Sequence, residues 1–119
     1  MRLAANNAYM LAMAKELRHP EREQIELSAV LEALSEPTRR EIVVQLLEQG
    51  ESPCQAFDDK APKSNVSYHL ARLREAGVTR TRVAGAYRMI SVRVDDLAAR
   101  FPGLLDAIVA ASRVKAPAD

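Results

Sequence analysis

The sequence predicts a mainly α fold of the α+β class, in which short helices precede and follow one β-hairpin. Apolar residues recur at helical spacing in several successive segments, and Gly or Pro separates these segments. After Gly77 the pattern changes to β-rich runs on both sides of Gly85, which is typical of a two-stranded hairpin. The length of 119 residues fits one domain, since domains usually have about 100–150 residues. We therefore predict a single domain over residues 1–119.

The first predicted helix covers residues 4–18, and its apolar face includes Met10, Met13 and Leu17 before Pro20 stops it. A domain of this size has little spare core to cover such a face. We expect the helix to pack against a partner subunit, and a frayed terminal extension is the alternative.

A second helix is predicted from about Arg22 to Leu34. Its expected buried face consists of Leu27, Val30, Leu31 and Leu34. The segment Ser35-Glu36-Pro37 then interrupts the chain.

The third predicted helix begins at Pro37, because proline is tolerated at a first helical position, and it ends at Gly50. Its expected buried residues are Ile42, Val43, Leu46 and Leu47. Thr38, Arg39 and Arg40 lie in the first turn, where positive charge opposes the helix dipole. A phosphate or carboxylate partner is therefore one expectation for at least one of these residues, and a solvated arginine is the other.

Residues 51–62 are rich in turn formers, and we place a brief helix near Pro53–Phe57 within them. A longer helix then runs from Lys63 to Gly77, with Ser64 as the expected N-cap. Its buried stripe should be Val66, Leu70 and Leu73, so that Tyr68, Arg72 and the polar first turn face away from the core.

The hairpin follows, and Asp95-Asp96 then opens a helix that Pro102-Gly103 interrupts before a last helix reaches about Ser112. The predicted organisation is an N-terminal helix over residues 4–18, a core over residues 22–94 and a C-terminal helix over residues 95–112. The tail over residues 113–119 is rich in Pro and Ala, and we expect it to be disordered.

Positive charge is concentrated in one part of the chain. Between Lys63 and Arg93 there are seven basic residues and one acid, Glu75, which gives +6 locally and leaves −5 for the rest of a chain whose net charge is +1. Affinity for nucleic acids depends on neutralising phosphates, so a localised basic segment indicates a nucleic-acid partner.

The sequence shows no apolar run near the roughly 20 residues that a membrane span needs, and its first residues do not resemble a signal peptide. We therefore expect a cytoplasmic protein that is not in the membrane. Cys54 is the only cysteine, which excludes an intramolecular disulfide within one subunit.

The predicted order of helices and hairpin is that of a winged helix-turn-helix with a two-stranded β wing. Two motifs, Ala33-Leu-Ser-Glu-Pro-Thr-Arg-Arg-Glu-Ile42 and Lys63-Ser-Asn-Val-Ser-Tyr-His-Leu-Ala-Arg-Leu-Arg-Glu-Ala-Gly77, resemble the ArsR/SmtB family of bacterial transcriptional repressors. The resemblance extends from about Ile25 to Ile108. It implies a homodimer, built on the N- and C-terminal helices, that binds an inverted-repeat operator in double-stranded DNA and releases it on sensing an inducer.

The resemblance places Ser64, Asn65, Ser67, Tyr68 and His69 on the family's recognition helix and residues 82–88 on its wing. Independently, a helix about 10–12 Å wide fits the major groove, where an Asn side chain can pair bidentately with adenine. The predicted DNA-binding residues are Lys63, Ser64, Asn65, Ser67, Tyr68, Arg72, Arg80, Arg82 and Arg88.

The predicted dimer interface contains Met10, Met13, Leu17, Leu104, Leu105 and Ile108. For the three hairpin arginines, an ordinary solvated hairpin is the alternative. His69 lies beside the apolar stripe, so we favour a semi-buried structural histidine over a reader of bases. The family more often has His at position 68 and Leu at position 40, and these departures bear on the operator sequence rather than on the mode of binding.

Metal sensing and catalysis find no support in the sequence. The family's thiolate site uses a Cys-x-Cys pair, whereas this chain offers Cys54 alone, and neither His19 nor His69 lies on the last helix, where the family's other metal site needs histidine ligands. Cys54 is a candidate redox sensor, and an idle packed thiol is the favoured alternative. The sequence has no phosphate-binding loop and no nucleophile motif, so we predict neither a cofactor nor an enzyme.

A different class of function uses the same fold. The basic hairpin of a winged helix can dock an acidic protein partner instead of DNA, and gel shifts with promoter DNA would separate these two hypotheses.

Overall fold

The structure is a computed structural model that describes residues 17–114, in which five α-helices flank a small antiparallel sheet. The helices are α1 (Leu27–Ala33), α2 (Pro37–Gln49), α3 (Lys63–Glu75), α4 (Val94–Arg100) and α5 (Leu104–Ser112). The strands are β1 (Ser52–Pro53), β2 (Thr79–Ala84) and β3 (Tyr87–Val92), and 3-10 turns occupy Arg22–Gln24 and Cys54–Phe57. Met10, Met13 and nearly all of the predicted first helix lie outside the described residues.

The predicted hairpin is confirmed, and a third strand joins it. The strand order is β1-β3-β2, so β3 is central, with Ile90 paired to Ser52 on one side and to Thr81 on the other. The sequence did not indicate β1, because a two-residue strand that contains Pro53 has no recognisable pattern.

One hydrophobic core lies between the helices and the inner face of the sheet. Phe57, Ile42, Leu73 and Ile90 are among its most deeply buried side chains. Helix α2 contacts both α3 and β3, while α4 contacts the first 3-10 turn and α5. The core therefore fixes α3 and the hairpin relative to each other.

The prediction of one continuous helix from Arg22 to Leu34 was wrong. The chain forms a 3-10 turn, becomes extended at Ile25 (φ −72°, ψ 123°) and only then enters α1. Ile25 is 1% exposed, and its carbonyl accepts hydrogen bonds from Arg100 Nε and Nη2 at 3.2 and 2.7 Å. The extended conformation at Ile25 buries its apolar side chain and lets its carbonyl accept hydrogen bonds from Arg100. These two contacts explain why the chain is not helical at this position.

Three leucines predicted to be buried are exposed instead. Leu27 and Leu31 on α1 are each 45% exposed and Leu47 on α2 is 37% exposed. Helix α1 has seven residues, and it buries Val30 and Ala33. The buried face of α1 is centred on Val30 and Ala33, and at 3.6 residues per turn Leu27 and Leu31 lie to one side of it.

Candidate nucleic-acid interface

One face of the first two turns of helix α3 is exposed to solvent. Val66, Leu70 and Leu73 are buried as predicted, whereas Ser64, Asn65, Ser67 and Tyr68 are exposed. The Tyr68 side chain is prominent, with 58% of the residue exposed. The polar side chains that sequence reasoning singled out therefore lie together on one outward surface.

Ser64 does not cap this helix, contrary to the prediction. The N-cap is Pro62, whose carbonyl accepts hydrogen bonds from the backbone N–H groups of Asn65 (2.8 Å) and Val66 (3.0 Å). No side-chain cap bond is formed. Because Pro62 already holds the extended conformation that precedes a helix, Lys63 becomes the first helical residue, and the Ser64 hydroxyl is not used as a cap.

His69 anchors α3 to the junction between α1 and α2. Its side chain is 14% exposed, and its Nδ1 lies 3.2 Å from Arg39 Nη1 and 3.8 Å from Glu36 Oε2. Glu36 in turn caps α2 by accepting the backbone N–H of Arg39 at 3.0 Å. These contacts agree with the structural role favoured for His69 over base reading.

The basic pair at the start of α2 binds backbone carbonyls, and this corrects the expectation of a phosphate, a carboxylate or bulk solvent around the two guanidinium groups. The Arg39 guanidinium is buried and donates to the carbonyl of Ala33, while Arg40 Nη1 donates to the carbonyl of Leu34 at 2.8 Å. The last carbonyls of a helix lack intrahelical partners and carry partial negative charge, so they attract cations. The sequence does not indicate that the last carbonyls of α1 lie within hydrogen-bonding distance of Arg39 and Arg40.

The wing presents arginines on its outer face. Thr79 and Thr81 of β2 are buried, and Arg80 and Arg82 between and after them are exposed, as strand alternation requires. Gly85 turns the hairpin with φ +61°. Near this turn Val83 and Tyr87 are also exposed, and Arg88 pairs with Val83 in the β2–β3 ladder.

Arg72, Arg80 and Arg82, which are predicted to bind DNA, each contact a carboxylate. Arg72 Nη2 lies 2.6 Å from Glu32 Oε2, Arg82 Nη2 lies 2.6 Å from Glu51 Oε1, and Arg80 Nη2 lies 3.4 Å from Asp96 Oδ2. Hydrogen bonds from Arg72 and Arg82 lower the pKa of Glu32 and Glu51, respectively. Exposed ion pairs are weakened by water and salt, so these pairs contribute little to the stability of the fold.

Arg93, although part of the basic segment, has a structural role. It is buried, and it donates from Nε to Asp96 Oδ2 (2.9 Å) and from Nη1 to the Pro20 carbonyl (2.8 Å). Asp96 also accepts from Arg22 Nε at 2.7 Å. The hydrogen bonds from Arg22 and then Arg93 lower the pKa of Asp96. The positive charge on the outer surface is therefore smaller than the sequence total indicates.

His19 makes a structural contact that sequence reasoning missed. Its Nε2 accepts the backbone N–H of Thr81 on the edge strand β2 at 2.9 Å. Burial of the ring, followed by the positive charges of Arg74, Arg93 and Arg80, lowers the pKa of His19 below 6.5. No local pattern could reveal this contact, because it joins residues that are distant in the sequence.

The predicted dimer residues that can be located lie at the edge of the core. Leu104, Leu105 and Ile108 of α5 are partly buried and line a narrow cleft with the core residues Val30, Leu34 and Leu97. No residue of α5 is fully buried. Leu17 is half-buried at the start of the described residues.

Cys54 is half-buried, and its Sγ donates to Gln55 Oε1 at 3.4 Å. Among residues 17–114, no three His, Cys, Asp or Glu side chains are grouped so that they could hold a metal ion. Within the same residues, no helix has both the length and the apolar character that crossing a bilayer requires.

The fold and this surface define a winged helix-turn-helix DNA-binding protein. A family model described as a helix-turn-helix domain matches residues 34–82. The HTH-type transcriptional regulator YceK of Bacillus subtilis (strain 168) is 34% identical over 82 residues, which are 66% of this chain and 82% of YceK. With this similarity, the chain belongs to the family of HTH-type transcriptional regulators.

Two solved structures resemble the chain over most of their length. One, a possible transcriptional regulator for arsenical resistance, is 36% identical, covers 68% of this chain and 93% of its own, and has a TM-score of 0.49. The other, an ArsR family transcriptional regulator, is 21% identical, covers 82% of this chain and 100% of its own, and has a TM-score of 0.54. The second supports the winged-helix fold.

Proposed function

We propose that this transcriptional regulator is a cytoplasmic homodimeric repressor, which binds an inverted-repeat operator and is released by a signal other than a metal ion. The observation that carries the proposal is the outward surface of α3, where Ser64, Asn65, Ser67 and Tyr68 are exposed next to a wing with exposed arginines. The N-terminal part of a recognition helix is the part that reaches base edges in the major groove.

Each residue of this surface has a distinct proposed role. Asn65 pairs with adenine, and Tyr68 reads a neighbouring base through its hydroxyl group. Ser64 and Ser67 serve bases or phosphates. Lys63 and the arginines at positions 72, 80, 82 and 88 bind the DNA backbone, so they set affinity and register more than sequence preference.

The dimer is proposed to form through α5 and the segment that precedes the first 3-10 turn. Leu104, Leu105 and Ile108 are incompletely covered by their own chain, which supports this arrangement. Dimers of helix-turn-helix proteins place two recognition helices about 34–36 Å apart along the DNA, and this spacing matches an inverted repeat.

Replacing Asn65 with Ala tests the proposed base contact. We expect N65A to weaken operator binding by about 5-fold to 150-fold, which corresponds to about 1–3 kcal/mol for one lost base contact, and to leave binding to random DNA nearly unchanged. Fluorescence anisotropy with DNA from upstream of the gene and with a random duplex measures both affinities.

Equal loss of binding on the two duplexes would show that Asn65 contacts the backbone rather than a base. The absence of any binding by the unsubstituted protein at moderate salt would instead favour the docking of an acidic protein partner. Lys63→Ala is the matched control, because the loss of a phosphate contact should weaken binding to both duplexes alike.

A further inference from the structure

The carboxylate of Glu51 holds the Arg82 guanidinium group through two hydrogen bonds. Arg82 Nε donates to Glu51 Oε2 at 2.9 Å, and Arg82 Nη2 donates to Glu51 Oε1 at 2.6 Å. This bidentate arrangement defines both the position and the plane of the guanidinium, which a contact through one nitrogen does not do.

The sheet explains why these two residues meet. Glu51 immediately precedes β1, and Pro53 of β1 and Arg82 of β2 both pair with Met89, on opposite sides of β3. Thr81 and Ile90 face the core, so the bridge between Glu51 and Arg82 crosses the central strand on the outer face of the sheet. The short strand β1 therefore places an acid beside the wing.

Glu51 leaves much of Arg82 available. A guanidinium group has five N–H donors, and the bidentate pair uses one on Nε and one on Nη2. Both donors on Nη1 are outside the pair, and the Arg82 side chain remains 57% exposed. A phosphate can therefore bind to the free edge while Glu51 keeps its hydrogen bonds.

Two other arginines of the proposed interface, Arg72 and Arg80, are held differently. Arg72 meets Glu32 through Nη2, while its Nε has no hydrogen-bond partner. The contact of Arg80 with Asp96 is longer, at 3.4 Å. Of these three arginines, Arg82 has the better-defined orientation.

We propose that Glu51 is a positioning residue for DNA binding, which orients Arg82 so that its free N–H groups meet a phosphate of the DNA backbone. The inference rests on the proposed contact between the wing and DNA. The positioning role predicts the opposite of what repulsion alone would give. An acid close to phosphates repels them, so removing Glu51 should strengthen DNA binding if Glu51 has no positioning role.

The test compares Glu51→Gln, Arg82→Ala and the double variant for binding to a random duplex of about 30 base pairs. This length lets both subunits of the proposed dimer contact the same duplex. We expect E51Q to weaken binding by about 3-fold to 10-fold and to have no further effect when Arg82 is already Ala, as a double-mutant cycle requires of a coupled pair. Glu51→Asp should recover part of the loss, because it restores a carboxylate. Asp59→Asn is the matched control, since it removes an exposed acid from the turn before α3 and should leave binding equal or stronger.

Tighter or unchanged binding by E51Q, with R82A weakened, would overturn the positioning role and leave the proposed DNA contact of Arg82 intact. An unchanged affinity for R82A would instead overturn the wing contact itself, and the role of Glu51 with it. Thermal unfolding of each variant shows that it is folded at the temperature of the binding measurement.

Discussion

Gly77 follows α3 in a conformation that few residues adopt, with φ +86°. A Cβ atom at this position would lie 2.7 Å from Ile25 Cγ1, and Ile25 is itself fully packed in the core. The missing side chain therefore serves two purposes: it permits the left-handed turn into β2 and leaves room for Ile25.

Replacing Gly77 with Ala should destabilise the protein by about 2–4 kcal/mol, because it adds a core clash to the cost of a left-handed backbone. Gly103 is the matched control, since its backbone is left-handed (φ +82°, ψ −11°) and a Cβ there meets nothing within 4 Å. Gly103→Ala should cost about 1–2 kcal/mol, the backbone contribution alone. Urea unfolding of both variants measures the difference, and equal losses would show that Ile25 moves aside without cost.

Individual residues also show where sequence reasoning succeeds. Gly77 as a helix terminator and the buried stripe of Val66, Leu70 and Leu73 follow from local periodicity, and both are confirmed. Arg39 could not be assigned in this way, because its partners are carbonyls at the end of another helix. Contacts between side chains and elements that are distant in the sequence cannot be predicted from local sequence patterns.

At the scale of elements, the segment before the first 3-10 turn is fastened to the wing. His19 accepts the backbone N–H of Thr81 in β2. Pro20, the next residue, accepts a hydrogen bond through its carbonyl from Arg93, which follows β3, so His19 and Pro20 are both held against the sheet. The hydrogen bond requires an unprotonated Nε2, which is consistent with the lowered pKa of the ring.

This hydrogen bond should make stability depend on pH. The pKa of His19 is lower in the folded state than its ordinary value of 6.5, so the unfolded chain binds protons first, and the contribution of His19 is present above pH 6.5 and declines as the pH falls below it. We expect the stability of the unsubstituted protein relative to His19→Gln to decrease between about pH 7.5 and pH 5, because glutamine can accept the Thr81 N–H without titrating.

Chemical denaturation of the two proteins at several pH values tests this. Taking the difference between them removes the contribution of His69 and of the carboxylates that they share. A difference that does not change with pH would show that His19 keeps its hydrogen bond when the solution becomes acidic, contrary to the expectation.

At the scale of the whole molecule, part of the positive charge that is concentrated between Lys63 and Arg93 is paired with acids within the fold. Arg93 is buried in an ion pair with Asp96, and Arg72 and Arg82 contact acids from α1 and from the residue before β1. The order of the α-helices and of the hairpin was predictable because these elements have their own period or turn, whereas β1 was not indicated by the sequence. The acids beside the arginines were not, since they come from elements that are distant in sequence and adjacent only in the fold.

The proposed dimer is a property of the whole molecule, and Leu105 on α5 offers a direct test. Sedimentation at micromolar concentration should give the mass of two chains for the unsubstituted protein. Leu105→Glu should give one chain, because a charge cannot be buried in an apolar interface without a partner. Operator binding should then fall by roughly a hundredfold, as two linked half-sites become independent, while a single half-site is bound equally by both proteins. A monomeric unsubstituted protein would refute the dimer, whereas a dimeric, folded Leu105→Glu variant would place the interface elsewhere than α5.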